Sequence, residues 1–150
     1  MRFRWLSVVT AMSLTLLLPA AAAAQPVVYV YHGTLTDAQI NDCDGTDVPV
    51  PTRGKWTATI SPGMAQIDAT EFHDWGDGWV HWMAMGGAVW GKWTVIAAEP
   101  GSFHLSTTLE PGAIQVDAYL SDGMVRWHLA PYPPCGSADV FGVVRSELGN

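Results

Sequence analysis

The sequence has few positive charges. It contains seven Lys and Arg residues against fourteen Asp and Glu residues, and its formal net charge at pH 7 is −7. Two of the seven cations, Arg2 and Arg4, stand at the N-terminus, so the chain after residue 24 carries a net charge of −9. Such a field repels phosphate backbones and anionic lipid. We therefore expect no nucleic-acid partner, whereas a neutral or cationic small-molecule ligand is compatible with the charge.

The sequence also lacks the short motifs that mark common catalytic sites. It has no G-x-S-x-G, no H-E-x-x-H, no phosphate-binding loop, no dinucleotide fingerprint and no C-x-x-C. These absences favour a non-catalytic protein without a cofactor. A catalytic site built from residues outside any known motif is still compatible with the sequence.

Long apolar runs are missing except at the N-terminus. There, Arg2 and Arg4 precede the apolar stretch "LSVVTAMSLTLLLPA", which is followed by "AAAAQ". This pattern predicts a signal peptide over residues 1–24, cleaved between Ala24 and Gln25. The run is too short for a membrane span, so we expect a protein that is not membrane-embedded. Residues 25–150 are then a single domain, secreted or periplasmic.

Cysteine is scarce. Cys43 and Cys135 are the two cysteines of the chain. An even number of cysteines behind an export signal predicts one disulfide bond. Cys43 follows the first predicted strand and Cys135 precedes the last, so the bond would join the two ends of the fold.

Helical periodicity is almost absent, and "TDAQIND" at residues 36–42 is the one short helix candidate. Elsewhere, short alternating runs separated by Gly, Pro, Asp and Ser predict an all-β domain. We expect an antiparallel meander of eight or nine strands, closed as a barrel or packed as a sandwich. The predicted strands lie near residues 27–35, 55–60, 64–72, 79–85, 92–98, 102–108, 113–120, 124–130 and 139–145.

Two hairpins share a sequence pattern. "PGMAQIDA" (Pro62–Ala69) matches "PGAIQVDA" (Pro111–Ala118), and "DGWVHW" (Asp77–Trp82) matches "DGMVRW" (Asp122–Trp127). The repeat indicates an internally duplicated sheet with a two-residue D-G turn in each copy. In the second copy this turn makes every facing pair on one side apolar. The pairs are Leu120 with Val125, Ala118 with Trp127, and Val116 with Leu129.

The same register, applied to the first copy without a bulge, directs polar residues inward. Glu71, His73 and Trp75 would continue the inner face that begins at Ala65. The expected facing pairs are Trp75 with Val80, His73 with Trp82, and Glu71 with Ala84. A β-bulge would reverse these faces.

An inward Glu71–His73 pair suggests one enzymatic alternative, a small hydrolase or isomerase that uses the two residues as acid and base. The opposing interpretation is that both are polar residues at a wet rim beside the turn. A second alternative is a periplasmic copper-binding protein, since imidazole and thioether groups suit Cu(I). Its ligands would be His73, His81, Met83 and Met85, although methionines on a strand also fill gaps in packing.

Tryptophan is abundant, with seven of the eight residues lying after residue 24. Alternation places Trp56, Trp82 and Trp127 in the core. The remaining rings, Trp75, Trp79, Trp90 and Trp93, are the candidates for ligand contact. Flat rings cover the apolar faces of sugars, and rings that line a closed sheet can also leave a cavity for an apolar ligand. The sequence therefore predicts a non-catalytic binding or structural module for a small apolar or sugar-like ligand.

Overall fold

A computed structural model of the protein describes residues 28–82, 92–109, 114–131 and 135–149. Residues 1–27 lie outside this range, so the signal peptide stays a prediction. Every regular element in the described residues is a β-strand. The strands are β1 (Tyr29–Asn41), β2 (Asp47–Val50), β3 (Thr52–Ser61), β4 (Met64–Asp74), β5 (Trp79–Trp82), β6 (Trp93–Glu99), β7 (Ser102–Leu109), β8 (Ile114–Ser121), β9 (Met124–Ala130) and β10 (Ser137–Gly149).

Eight of these strands close into an antiparallel barrel. Their order around the barrel is β1, β3, β4, β6, β7, β8, β9 and β10, and β10 pairs with β1 to complete the circle. Closure decides between the two predicted architectures in favour of the barrel. The two additional strands extend its wall, because β2 pairs with the end of β1 and β5 pairs with the end of β4.

Alternation along the strands fills the barrel interior. Trp56 and Trp127 are buried as predicted, and their rings meet edge to face with centroids 5.4 Å apart. An eight-stranded barrel has an interior just wide enough to be filled by side chains. Trp93 also belongs to this core, with 2% of its surface exposed. The expectation that Trp93 is ligand-facing is corrected by this position, because its ring takes part in core packing.

A glycine on β1 makes room for one of these rings. Gly33 pairs with Trp56 across β1 and β3. A methyl group added at Gly33 would meet both the Trp56 indole and the backbone carbonyl of Val143. The missing side chain therefore allows the indole to lie against the β1–β10 seam.

The end of β1 differs from the sequence expectation. The predicted helix at residues 36–42 is wrong: residues 36–41 continue β1, where residues 37–41 pair with β10 and residues 38–41 also pair with β2. Pairing on both sides satisfies their backbone groups and overrides a weak local helical preference. The predicted bond between Cys43 and Cys135 is present just beyond these pairs, with Cα atoms 5.2 Å apart. The bond holds the turn after β1 against the segment that precedes β10.

The hairpin of β8 and β9 confirms its predicted register. Leu120 faces Val125, Ala118 faces Trp127, and Val116 faces Leu129. The turn residues Asp122 and Gly123 both have positive φ, of 52° and 75°. These values belong to the two-residue turn that a D-G sequence favours. Among the described residues no helix is long and apolar enough to span a membrane.

Candidate functional site

The hairpin of β4 and β5 positions the candidate site at one end of the barrel. Its register pairs Glu71 with Trp82 and His73 with Val80, and the last pair is Asp74 with Trp79. The predicted pairing of His73 with Trp82 is therefore wrong by two residues. A shift of two leaves each side chain on its predicted face, because side-chain direction alternates with a period of two.

Asp74 explains the shifted register. Its Oδ1 accepts hydrogen bonds from the backbone N–H groups of Gly76 and Gly78, at 2.9 and 3.1 Å. An Asp side chain that bonds backbone groups ahead of it initiates a turn. Gly76 and Gly78 have φ of 110° and 101°, which a glycine adopts without strain. The chain therefore turns through the four residues 75–78 rather than through Asp77 and Gly78 alone.

Glu71 and His73 both point inward, as the sequence predicts for a strand without a bulge. Both side chains are fully buried, and His73 Nε2 lies 3.5 Å from Glu71 Oε1. Thr52 is buried beside them on β3. The cluster is therefore a polar inclusion in an apolar interior and not a wet rim.

Thr52 determines the orientation of the imidazole. The Thr52 hydroxyl donates to the carbonyl of Val50 at 2.9 Å and lies 2.8 Å from His73 Nδ1. A hydroxyl has one proton, so when Thr52 donates it to Val50 the Nδ1 atom is the donor to the Thr52 oxygen. In the neutral ring Nε2 then carries the lone pair and faces the Glu71 carboxyl group.

An aromatic layer covers the imidazole. The His73 ring meets the Trp82 ring edge to face at 5.0 Å, and the Trp75 ring lies 6.1 Å away. Trp75 and Trp82 are themselves in contact, with centroids 5.6 Å apart. Trp82 lies on the inner face as predicted, but it is only half-buried and does not belong to the hydrophobic core, so its predicted core position is wrong. Thr52 and His73 thus support a pair of tryptophans nearer to solvent.

Trp75 forms part of a surface groove. The groove has a volume of about 470 Å³ and lies between the β1–β2 extension and the tip of the β4–β5 hairpin. A backbone hydrogen bond from Asp74 N to Pro51 O, 3.0 Å long, joins its two sides. The described residues that line it are Ile40, Val48, Pro49, Val50, Pro51, Asp74, Trp75 and Gly76. The sequence did not indicate the first five, because β2 was not predicted and Ile40 fell in the helix candidate.

Trp79 occupies the opposite face of the same hairpin. It is 43% exposed, close to the 45% of Trp75, but its ring is covered by the Arg53 guanidinium at 4.4 Å. The two rings therefore have similar exposed fractions, but Trp75 lies beside the groove and Trp79 lies under Arg53. Trp90, the fourth predicted ligand-facing ring, lies outside the described residues.

The described residues of the predicted copper site are not brought together. His73 is buried on the inner face, whereas His81 is exposed on the outer face, where its ring packs on Phe72 at 5.1 Å. Met83 and Met85 lie outside the described residues, so the copper hypothesis stays a prediction. In the parts of the chain that the structure describes, no group of three His, Cys, Asp or Glu side chains is arranged to hold a metal ion.

A second polar cluster lies on the outer face of β7–β10. His104 contacts Asp117 at 2.9 Å, and Asp139 contacts both Arg126 at 2.7 Å and His128 at 2.8 Å. The register places Asp117 directly opposite His128. No residue of this cluster is among the predicted site residues. The D-G turn, which sets the register of β8 and β9, was the signal that could have paired Asp117 with His128.

The chain was compared with protein-family models, with curated proteins and with solved structures, and no significant match was found in any of the three comparisons.

Proposed function

We propose that this protein is a non-catalytic binding module for a small neutral ligand that has an apolar face and hydroxyl groups, as a sugar has. The observation that carries the proposal is the exposed Trp75 ring on the rim of an apolar groove. Ligand sites combine a concave, largely apolar surface with a few polar groups that fix orientation. The Trp75 ring offers a flat apolar surface for the ligand, and the groove beside it provides the concave shape.

The polar group in the groove is Asp74. Both of its hydrogen bonds to the hairpin loop use Oδ1, so Oδ2 can accept a hydrogen bond from a ligand hydroxyl. The loop bonds also hold the carboxylate in place before a ligand arrives. A fixed acceptor loses little conformational entropy on binding, which favours affinity.

The buried cluster has a supporting role in this proposal. His73, held by Thr52, packs against Trp82 and Trp75 and so limits the positions that the Trp75 ring can take. A rigid supporting layer is what a preorganised binding surface requires. Glu71 and His73 are absent from the described lining of the groove. Their use as an acid–base pair therefore stays the alternative prediction.

We propose that the protein acts in an oxidising location, secreted or periplasmic. The disulfide between Cys43 and Cys135 is compatible with such a location, because disulfides persist where thiols are not kept reduced. The N-terminal sequence supports the same proposal.

Binding of neutral probes tests the function. The protein is titrated with maltose and with Nile red, a neutral apolar dye, and binding is followed by calorimetry and by dye fluorescence. Trp75→Ala should weaken binding of the accepted probe by about tenfold or more, the loss that about 1.4 kcal/mol produces. Trp79→Ala is the matched control, because Trp79 is equally exposed in the same hairpin and does not line the groove. Equal losses in the two variants, or no binding of either probe, would contradict the proposal.

A further inference from the structure

A basic groove crosses the outer wall of the barrel. It has a volume of about 510 Å³ and lies across β1, β3 and β4, away from the Trp75 groove. Its described lining residues are Thr34, Arg53, Gly54, Lys55, Thr70 and Phe72. Arg145 on β10 is not one of these lining residues, but it lies at the edge of the groove, since its Nε donates to Thr34 Oγ1 at 3.3 Å.

The concentration of positive charge here contrasts with the rest of the protein. Residues 25–150 contain five Lys and Arg residues and carry a net charge of −9, yet three of the five cations surround this groove. Arg126, by comparison, is bound to Asp139 at 2.7 Å. In the described residues no ion pair involves Arg53, Lys55 or Arg145. Three neighbouring cations that form no ion pair with any described residue repel one another, and a bound anion would relieve this repulsion.

The acidic residue nearest in register has another hydrogen-bond partner. Asp68 lies diagonally opposite Lys55, which pairs directly with Thr70. The Asp68 carboxylate accepts a hydrogen bond from Gln66 Nε2 at 3.2 Å. Among the described residues Asp68 forms no ion pair with Lys55, so it lowers the local positive charge without binding the lysine.

Two of the cations are held in place before any ligand binds. The Arg53 guanidinium lies over the Trp79 ring at 4.4 Å and over the Phe72 ring at 5.6 Å. Stacking fixes the plane of the guanidinium and leaves its edge N–H groups directed away from the rings. Arg145 is oriented by its hydrogen bond to Thr34. Fixed guanidinium groups lose less freedom when they bind a planar or tetrahedral anion.

The strand register adds hydroxyl donors between the cations. Lys55 pairs with Thr34 on one side and with Thr70 on the other. Arg53 and Lys55 are two residues apart on one strand, so their side chains leave the same face about 7 Å apart. Three cations and two hydroxyl groups thus line one surface that spans four neighbouring strands.

We propose that this groove binds a small polyanion with two or more carboxylate, sulfate or phosphate groups. Charge complementarity carries the proposal, because the groove concentrates the cations of an acidic protein and orients them. The site is separate from the Trp75 groove and does not depend on the function proposed for it. Trp79 supports this second site through its contact with Arg53.

Titration of the intact oxidised protein with three anionic probes tests the site. The probes are inorganic tripolyphosphate, citrate and a sulfated disaccharide, measured by calorimetry at low salt. Lys55→Gln should weaken binding about tenfold, whereas Lys92→Gln, a change of equal charge at an exposed position outside the groove, should alter it less than twofold. Trp75→Ala should leave anion binding unchanged. In nuclear magnetic resonance spectra the backbone amides of Thr34 and Thr70 should shift on addition of the probe.

Each outcome of this experiment has a defined meaning. Binding of tripolyphosphate alone identifies phosphate groups as the ligand chemistry, and binding of citrate or the sulfated disaccharide alone identifies a carboxylated or sulfated ligand. If Lys55→Gln and Lys92→Gln weaken probe binding equally, the probes respond only to the net charge of the protein, and the proposed site is wrong. Absence of binding by all three probes, with circular dichroism confirming folded protein, would overturn it as well.

Discussion

His73 Nε2 lies 3.5 Å from Glu71 Oε1 in the interior of the barrel, and both side chains are fully buried. Two ionisable groups that leave water together lose hydration, which their mutual attraction must offset. Removing one of two such partners is costly because the other stays in an apolar interior. The pair therefore stabilises the fold only as a unit.

A double-mutant cycle measures this coupling. We expect His73→Gln to lower the free energy of unfolding by about 2–4 kcal/mol, since it removes the imidazole beside a buried carboxyl group. Glu71→Gln should cost about 1–2 kcal/mol, and the double variant should cost less than the sum by about 1 kcal/mol or more. Urea denaturation followed by tryptophan fluorescence provides the values.

The outer face offers the control for this cycle. His104 and Asp117 are 2.9 Å apart but partly exposed. The cycle of His104→Gln and Asp117→Asn should give a coupling below about 1 kcal/mol, as exposed ion pairs do. If the buried pair proves additive within about 0.5 kcal/mol, Glu71 and His73 act independently. The buried cluster would then be no more than two separately tolerated polar groups.

Substitution of Trp127 and of Trp79 compares the contribution of a core ring to stability with that of a surface ring. Trp127→Ala should destabilise the protein by about 3–5 kcal/mol, because the ring is fully buried against Trp56 and its loss leaves a large cavity. Trp79→Ala removes a half-exposed ring that contacts Arg53 and should cost less than about 1 kcal/mol. The midpoint of urea denaturation reports both changes, with the m-value unchanged. Similar losses from the two variants would mean that the assignment of inner and outer faces is wrong.

The faces of the hairpins were predictable because alternation has a period of two. Asp122 and Gly123 form the expected turn, so the whole β8–β9 register followed from the sequence. In the β4–β5 hairpin the inward direction of Glu71 and His73 was also correct, although the facing residues were not. The error came from Asp74, whose side-chain hydrogen bonds set the loop length and left no distinct signature in the alternation.

Other features depended on tertiary pairing that short-range patterns do not contain. Residues 36–41 have strand geometry because β2 and β10 flank them, and the groove beside Trp75 exists only after β2 has formed. The prediction that Trp93 faces the ligand rested on elimination, because no predicted hairpin register determined the direction of its side chain. The register shift between Val95 and Ala97 interrupts the alternation of β6 only after Trp93, and beyond it Ala97 and Ala98 are both exposed.

The last prediction concerns the disulfide and the groove beside it. Cys43 and Cys135 are separated by 92 residues in sequence, so their bond removes much of the conformational freedom of the unfolded chain. Replacing both with Ser should lower the free energy of unfolding by about 4 kcal/mol in the chain-entropy model. Intact mass with and without reductant confirms the bond in the starting protein.

Hydrogen exchange shows where the bond acts. The bond lies beyond the pair of Asn41 with Ser137, at the end of the β1–β10 seam. In the Ser variant, backbone protection should fall most over residues 38–41, 47–50 and 137–141, while the β8–β9 hairpin keeps its protection relative to the global stability. Ile40 and Val48 lie on these less protected strands and line the groove. The affinity for the neutral probe should therefore fall in the Ser variant. If protection falls uniformly around the barrel and probe affinity is unchanged, the bond stabilises the whole fold and has no particular part in shaping the groove.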